Sequence, residues 1–314
     1  MIVHSFFILL QNQNPQLKSR YKNIYILTPN GFETGGVEAL FQLAHAIHIL
    51  KGKAFTVFHP NKNDAVLDAY KNYKINRTNT IDDEEENLLI VPEVWTDELQ
   101  AYKKINKAIW WLSIDNNFGK FTRFDDRSII HFSQSYYANK YLLEKGCTQV
   151  INLYDYLRDD FFPETFTDYQ KENIVCYNPK KGMEITGSIM TRMPQVGFVP
   201  IENLSTKGVK NLLKRSKVYI DFGHHPGKDR IPREAAIYYN CIITSSNYGA
   251  AKNDVDIPIG KQYKFREDQL PEIVERINLC LTSHNEYVCD FDPYRKVIWK
   301  QKEEFFNQVR ELFV

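Results

Sequence analysis

The stretch that most restricts the fold is residues 219–253, YIDFGHHPGKDRIPREAAIYYNCIITSSNYGAAKN. An apolar strand ending at Asp221 runs through a loop of Gly, Pro and His into a helix carrying Glu234, and a second apolar strand starts at Cys241. Strand, loop, helix, strand is the order of a βαβ crossover, which commits this region to a parallel sheet covered by helices. Lys228, Arg230 and Arg233 cluster where that helix begins. A helix start presents unbonded N–H groups, so cations gathered there suit a phosphate.

The first half repeats the plan. Residues 24–27 form an apolar strand, Thr28-Pro29-Asn30-Gly31 a turn, and Gly35-Gly36 open a helix with Val37, Leu40, Phe41, Ala44 and Ile47 on one side. That helix stops at Gly52 and a strand follows over 54–58. The glycines do not spell GxGxxG and no acid is placed to take a ribose, so a dinucleotide site is not expected here. Further strands read at 88–91, 108–114, 129–132 and 150–153, the first three ending in Pro92-Glu93, Asp115-Asn116-Asn117 and Ser133-Gln134-Ser135. Open α/β sheets bind ligands at such carboxyl ends. Trp110-Trp111 reads as core packing rather than a sugar-stacking platform. Residues 61–87, closing in the acidic run at 82–86, read as a solvated face or loop.

Residues 159–173, with Pro163, read as an interdomain linker. Beyond it come a strand at 174–177, the basic turn Asn178-Pro179-Lys180-Lys181-Gly182, a strand at 196–199 and a basic helix at 206–216. The opening unit follows, then helices at 271–282 and 294–313. This gives an α/β chain with domains at 1–162 and 163–293 and a terminal helix at 294–314. At 314 residues the chain exceeds one ordinary core, in keeping with two domains.

A net charge of +1 excludes a general polyanion binder, and no nucleic-acid partner is expected. Between 171 and 234, however, twelve Lys and Arg stand against six Asp and Glu, a local bias suited to a small anionic ligand. The five cysteines are odd in number and show no CxxC, as for free thiols in a reducing compartment. The apolar run 2–10 is too short to span a bilayer and has no basic leader. The expectation is a cytoplasmic protein whose aromatic-rich ends can touch the inner face of a membrane.

Taken together, the two α/β halves, the glycine turn, the basic turn and the terminal helix resemble two-domain glycosyltransferases of the GT-B fold. The likeness is to members that assemble bacterial polysaccharide and lipopolysaccharide. It implies two Rossmann-like domains facing a central cleft, with the terminal helix packing back toward the N-terminal domain. Gly35 and Gly36, with Ser135, would form the acceptor-side loops. Lys180, Lys181 and Gly182 would form the diphosphate turn. His224, Lys228, Arg230, Arg233, Glu234, Asn247 and Gly249 would complete a donor nucleotide segment, Glu234 holding the ribose hydroxyls. The chain departs from the pattern at Pro226, eight residues before Glu234, where retaining families carry an acid. Whether His224, His225 or Lys228 substitutes stays open.

On this reading the co-substrate is a nucleoside-diphosphate sugar, the acceptor a surface glycan or glycolipid, and no cofactor is needed. Fixed cations and helix N–H groups can carry the leaving diphosphate. Residues 254–256 and 290–292 match the DxD pattern of metal-dependent transfer but do not follow a strand as metal use requires, so no metal is expected. An inverting reaction needs a base, for which Asp115, Glu33 or His131 are placed, Asp115 first because it ends a strand; His225 is a further catalytic candidate. Two alternatives remain: a non-catalytic glycan-assembly protein that kept the nucleotide pocket, and a nucleotide-sugar epimerase.

Overall fold

The computed structural model describes residues 21–59, 65–163 and 170–314. The apolar run at 2–10 and the middle of the expected linker lie outside them. The chain forms two compact units. Of the described residues, those up to 134, 139–154 and 303–314 make the first, and those at 135–138 and 155–302 the second.

The first unit is built on a seven-stranded, wholly parallel sheet in the order β3-β2-β1-β4-β5-β6-β7. Its strands are β1 (Ile24–Pro29), β2 (Ala54–His59), β3 (Asn76–Arg77), β4 (Leu88–Pro92), β5 (Asn106–Trp111), β6 (Ile129–Ser133) and β7 (Val150–Asn152). Buried on both faces, such strands read as continuous apolar runs, and every residue of Leu88–Pro92 is buried. Helix α1 (Gly35–Lys51) starts at Thr34, whose hydroxyl accepts the Val37 N–H, and stops at Gly52 in the left-handed conformation, φ 71°. Trp110 and Trp111 are fully buried; their indoles donate to the Leu153 carbonyl and to His131 Nδ1, both at 3.0 Å.

Two readings need correction. The strand expected over 108–114 ends at Trp111, and Ile114 instead opens a short 3-10 turn, Ile114–Asn117, with its side chain buried. Nor is the acidic run merely solvated. The Asp83 carboxylate accepts the backbone N–H groups of Lys103, Lys104 and Ile105, each at 2.9 Å, and so anchors the entry to β5.

The second unit holds a five-stranded parallel sheet in the order β12-β11-β10-β8-β9. Its strands are β8 (Glu172–Tyr177), β9 (Gly197–Pro200), β10 (Ser216–Asp221), β11 (Cys241–Ser245) and β12 (Lys264–Phe265). Around it lie α2 (Tyr136–Glu144, its first residues only), α3 (Met183–Arg192), α4 (Thr206–Arg215), α5 (Arg230–Ile237), α6 (Leu270–Thr282), α7 (His284–Tyr287) and α8 (Asp292–Phe313, its first part). Val175, Cys176, Val218, Tyr219, Ile220, Ile242 and Ile243 form its apolar centre with Ile273, Ile277 and Phe291. The end of α8 belongs to the first unit, where Lys51 Nζ donates to the Phe313 carbonyl at 2.9 Å and Phe306 meets His45 edge-on. Cys147, Cys176, Cys241 and Cys280 are buried free thiols and Cys289 is exposed. No helix of the described residues is long and apolar enough to cross a membrane.

Candidate functional site

In each sheet the chain changes direction once. The connections run outward from β1 on one side and from β4 on the other in the first sheet, and from β8 and β10 in the second. The loops that leave the carboxyl ends at such a switch point diverge and leave a crevice between them. In the second unit those loops are 178–182 and 222–229, which between them carry three lysines, two histidines and three glycines.

The loops touch. Gly182 takes φ 67°, and a Cβ there would stand 2.6 Å from the Gly223 nitrogen and 2.7 Å from the Phe222 carbonyl carbon. Only glycine accepts both that conformation and that approach. Across the contact, Lys181 Nζ donates to the His224 carbonyl at 3.1 Å and to the Asp229 carboxylate, and lies 3.7 Å from Asp221 Oδ2. His225 is fully buried; its Nδ1 is 2.8 Å from Asp229 Oδ2, and its Nε2 is 3.5 Å from Asp221 Oδ1 without a hydrogen bond. Tyr219 donates its hydroxyl to Asp221 at 2.7 Å. Burial pushes the Asp229 carboxyl up, but His225 and Lys181 outweigh it and hold the carboxyl down at about 2. Asp221, His225 and Asp229 bring ligand atoms within 4.8 Å of one another, but the cation among them is the Lys181 ammonium.

Helix α5 begins directly after Asp229. Arg230 lies 3.5 Å from Glu234 one turn on and over the Phe161 ring at 5.3 Å. Glu234 is 5% exposed. Arg233 points the other way: fully buried, it donates to Asp155 Oδ2 at 2.7 Å, Gln301 Oε1 at 3.2 Å and the Lys228 carbonyl at 3.1 Å. Such a set satisfies a guanidinium within the fold. Lys180 is exposed beside the site. Gly249, at φ 57°, packs its backbone on His225, whose carbonyl accepts the Ala250 N–H at 2.8 Å. Asn247 is exposed and held by Ser245 Oγ and Glu267.

In the first unit, Gly35 and Gly36 open α1, with Leu112 lying 3.6 Å from where a Cβ of Gly36 would be. Glu33 is exposed on the loop after β1, and Asp115 on the turn after β5. Ser135 is fully buried, accepts the Ala138 N–H at 3.0 Å, and groups with the second unit. His131 is buried beneath Trp111, and burial lowers its pKa to about 4.

HepE of Anabaena, solved in complex with UDP-glucose, superposes over 92% of this chain and 98% of its own, at 11% identity and a TM-score of 0.66. A sucrose-phosphate synthase from Thermosynechococcus elongatus matches over 92% and 98% at 11% identity, TM-score 0.68. A glycosyltransferase from Rickettsia africae matches over 93% and 99% at 12% identity, TM-score 0.63. The chain has the GT-B glycosyltransferase fold. No protein-family model and no curated protein matches the sequence.

Within this GT-B fold, Glu93 reads from sequence only as one of the polar strand ends, without a role, and Asp155 is not singled out. Glu93 directly follows β4 at the first sheet's switch point; it is 3% exposed, and its two oxygens accept the N–H groups of Leu112 (2.9 Å) and Ser113 (3.1 Å). Burial raises its pKa to about 7 against those bonds. The signal was available, since Glu93 ends a wholly apolar strand. Asp155 left no such signal, being 78 residues from its partner Arg233.

Proposed function

We propose that the protein is a glycosyltransferase that moves a sugar from a nucleoside-diphosphate donor to a surface glycan or glycolipid of the bacterial polysaccharide or lipopolysaccharide type. The observation that carries this reading is that, at the second sheet's switch point, Lys181 pairs with Asp229 and the helix that starts at the next residue pairs Arg230 with Glu234. The reading takes its donor class from the fold and from HepE, which was solved with UDP-glucose.

In this scheme Lys180, Lys181, Lys228 and Arg230 meet the diphosphate, and Glu234 takes the ribose hydroxyls while Arg230 holds it in place. Cleavage of the glycosidic bond leaves negative charge on the diphosphate, and fixed cations stabilise that charge most as it develops. Asn247 and Gly249 border the same edge. Arg233 serves as a buried support for α5 rather than a phosphate ligand, and His225 as a support for Asp229. Metal-independent transfer agrees with how the DxD acids are spent. Asp256 accepts the Tyr136 and Tyr137 N–H groups at the start of α2, and Asp254 pairs with Lys264.

The acceptor falls to the first unit in this proposal, with Gly35, Gly36, Glu33 and Asp115 along the sheet's carboxyl edge. Phe32 and Phe118 sit on those same loops, 57% and 79% exposed, the kind of aromatic surface a sugar ring can cover. Asp115 is the first choice for base if the reaction inverts.

Calorimetric titration with UDP, GDP, their glucose and mannose conjugates and the free sugars tests the reading. At least one nucleotide conjugate should bind, Glu234→Gln and Arg230→Ala should each weaken it about tenfold or more, the loss of one charged hydrogen-bonding group, and the free sugars should bind far more weakly. If none of the nucleotides binds, or both variants bind as the wild type does, the proposal fails.

A further inference from the structure

Asp229 stands at the N-cap position of α5, where an aspartate ordinarily turns its carboxylate onto the N–H groups of its own helix. Here it makes no such bond. One oxygen, Oδ2, instead takes both the Lys181 ammonium and His225 Nδ1. The stem of Lys181 is fixed in that direction, because it lies against Gly223, where a Cβ would come within 2.3 Å of Lys181 Cγ. The ammonium that the diphosphate would need is therefore already neutralised by an acid of the protein's own.

We propose that Asp229 is a positioning residue that acts as a resident counter-anion, holding Lys181 in the empty site and exchanging its place on the ammonium with the incoming diphosphate. The inference rests on the donor reading above. Lys181 has three carboxylate or carbonyl acceptors within 3.7 Å, so it stays aimed at the switch point without a ligand. A phosphate oxygen reaching Nζ competes with Asp229 Oδ2, while His225 Nδ1, 2.8 Å from that same oxygen, keeps the released carboxylate in place. Without the diphosphate, Asp229 gives the Lys181 ammonium a carboxylate closer than Asp221, which lies 3.7 Å away, among the buried Tyr219, Asp221 and His225. In the occupied site it weakens diphosphate binding, which favours release of the nucleotide product.

The test is a double-mutant cycle read by calorimetry with UDP and with inorganic pyrophosphate. Removing one unit charge at contact distance is worth about a fivefold change even at the dielectric of water. Asp229→Asn is therefore expected to bind both probes about fivefold tighter or more. Asp229→Glu, which keeps the charge, should stay near wild type. In a Lys181→Met background, Asp229→Asn should tighten binding much less than it does alone. Unchanged or weaker binding by a folded Asp229→Asn protein, its fold checked by circular dichroism, overturns the exchange while leaving the donor reading intact. So does equal tightening with and without Lys181. If neither probe binds the wild type or any variant, the donor reading fails and the exchange falls with it.

Discussion

Arg233 and Glu93 show how much a single side chain's surroundings decide. Three cations gathered at a helix start suggest a phosphate site, and for Arg230 the position agrees with that use. Arg233, one turn further on, is turned inward by the helical period and finds Asp155, a partner whose distance along the chain no local pattern reveals. Arg233→Met should therefore cost about 3 kcal/mol or more of stability, because it takes the guanidinium away from the buried Asp155 carboxylate. Urea denaturation measures this directly, and a loss under 1 kcal/mol contradicts it. Glu93 gives a pH-dependent counterpart. Its folded pKa, about 7, is above the value of an unfolded glutamate, so between roughly pH 4.5 and 7 the native state binds the extra proton. The sign follows: this contribution is complete below about pH 4.5 and is lost as pH rises through 7, by up to about 1.4 kcal/mol per pH unit. Glu93→Gln should remove that slope from a plot of unfolding free energy against pH.

At the scale of elements, two glycines in the same backbone region separate conformational cost from steric cost. Gly52 and Gly182 both have positive φ, 71° and 67°, but a Cβ at Gly52 meets nothing within 4 Å whereas one at Gly182 meets the backbone of Phe222 and Gly223. Gly52→Ala should cost about 1 kcal/mol. Gly182→Ala should cost distinctly more and also lower nucleotide affinity, since it pries apart the loops that hold Lys181. Thermal denaturation of the pair reads the first effect, and titration with UDP the second. Elements of this kind were largely legible. The βαβ units announced themselves through apolar runs closed by Gly, Pro and Asx residues, and α1 runs from its glycine pair to Gly52 as its pattern requires. The errors came where a pattern has two physical meanings. An apolar run can be a strand or a strand plus a buried turn, as at Ile114, and an acidic run can be solvated or can cap backbone N–H groups, as at Asp83. The connection of Lys181 to Asp229 was beyond reach, because an aspartate before a helix reads as its cap.

For the molecule as a whole, each unit has its own parallel sheet and apolar core, and each sheet has one switch point flanked by chemically distinctive loops. The division of charge follows the same lines. The basic bias of 171–234 lies in the second unit, while the first offers glycines, exposed carboxylates and exposed phenylalanines at its carboxyl edge. That asymmetry is what the proposed division between an anionic donor and a sugar acceptor would require. Donor binding in the second unit is the central claim. A crystal structure of the protein with UDP is its most direct test. The diphosphate should lie within hydrogen-bonding distance of Lys181 Nζ and the Arg230 guanidinium, with the ribose on Glu234 and Lys181 released from Asp229. A nucleotide bound in the first unit, or one in the second unit that touches neither Lys181 nor Arg230, would contradict it.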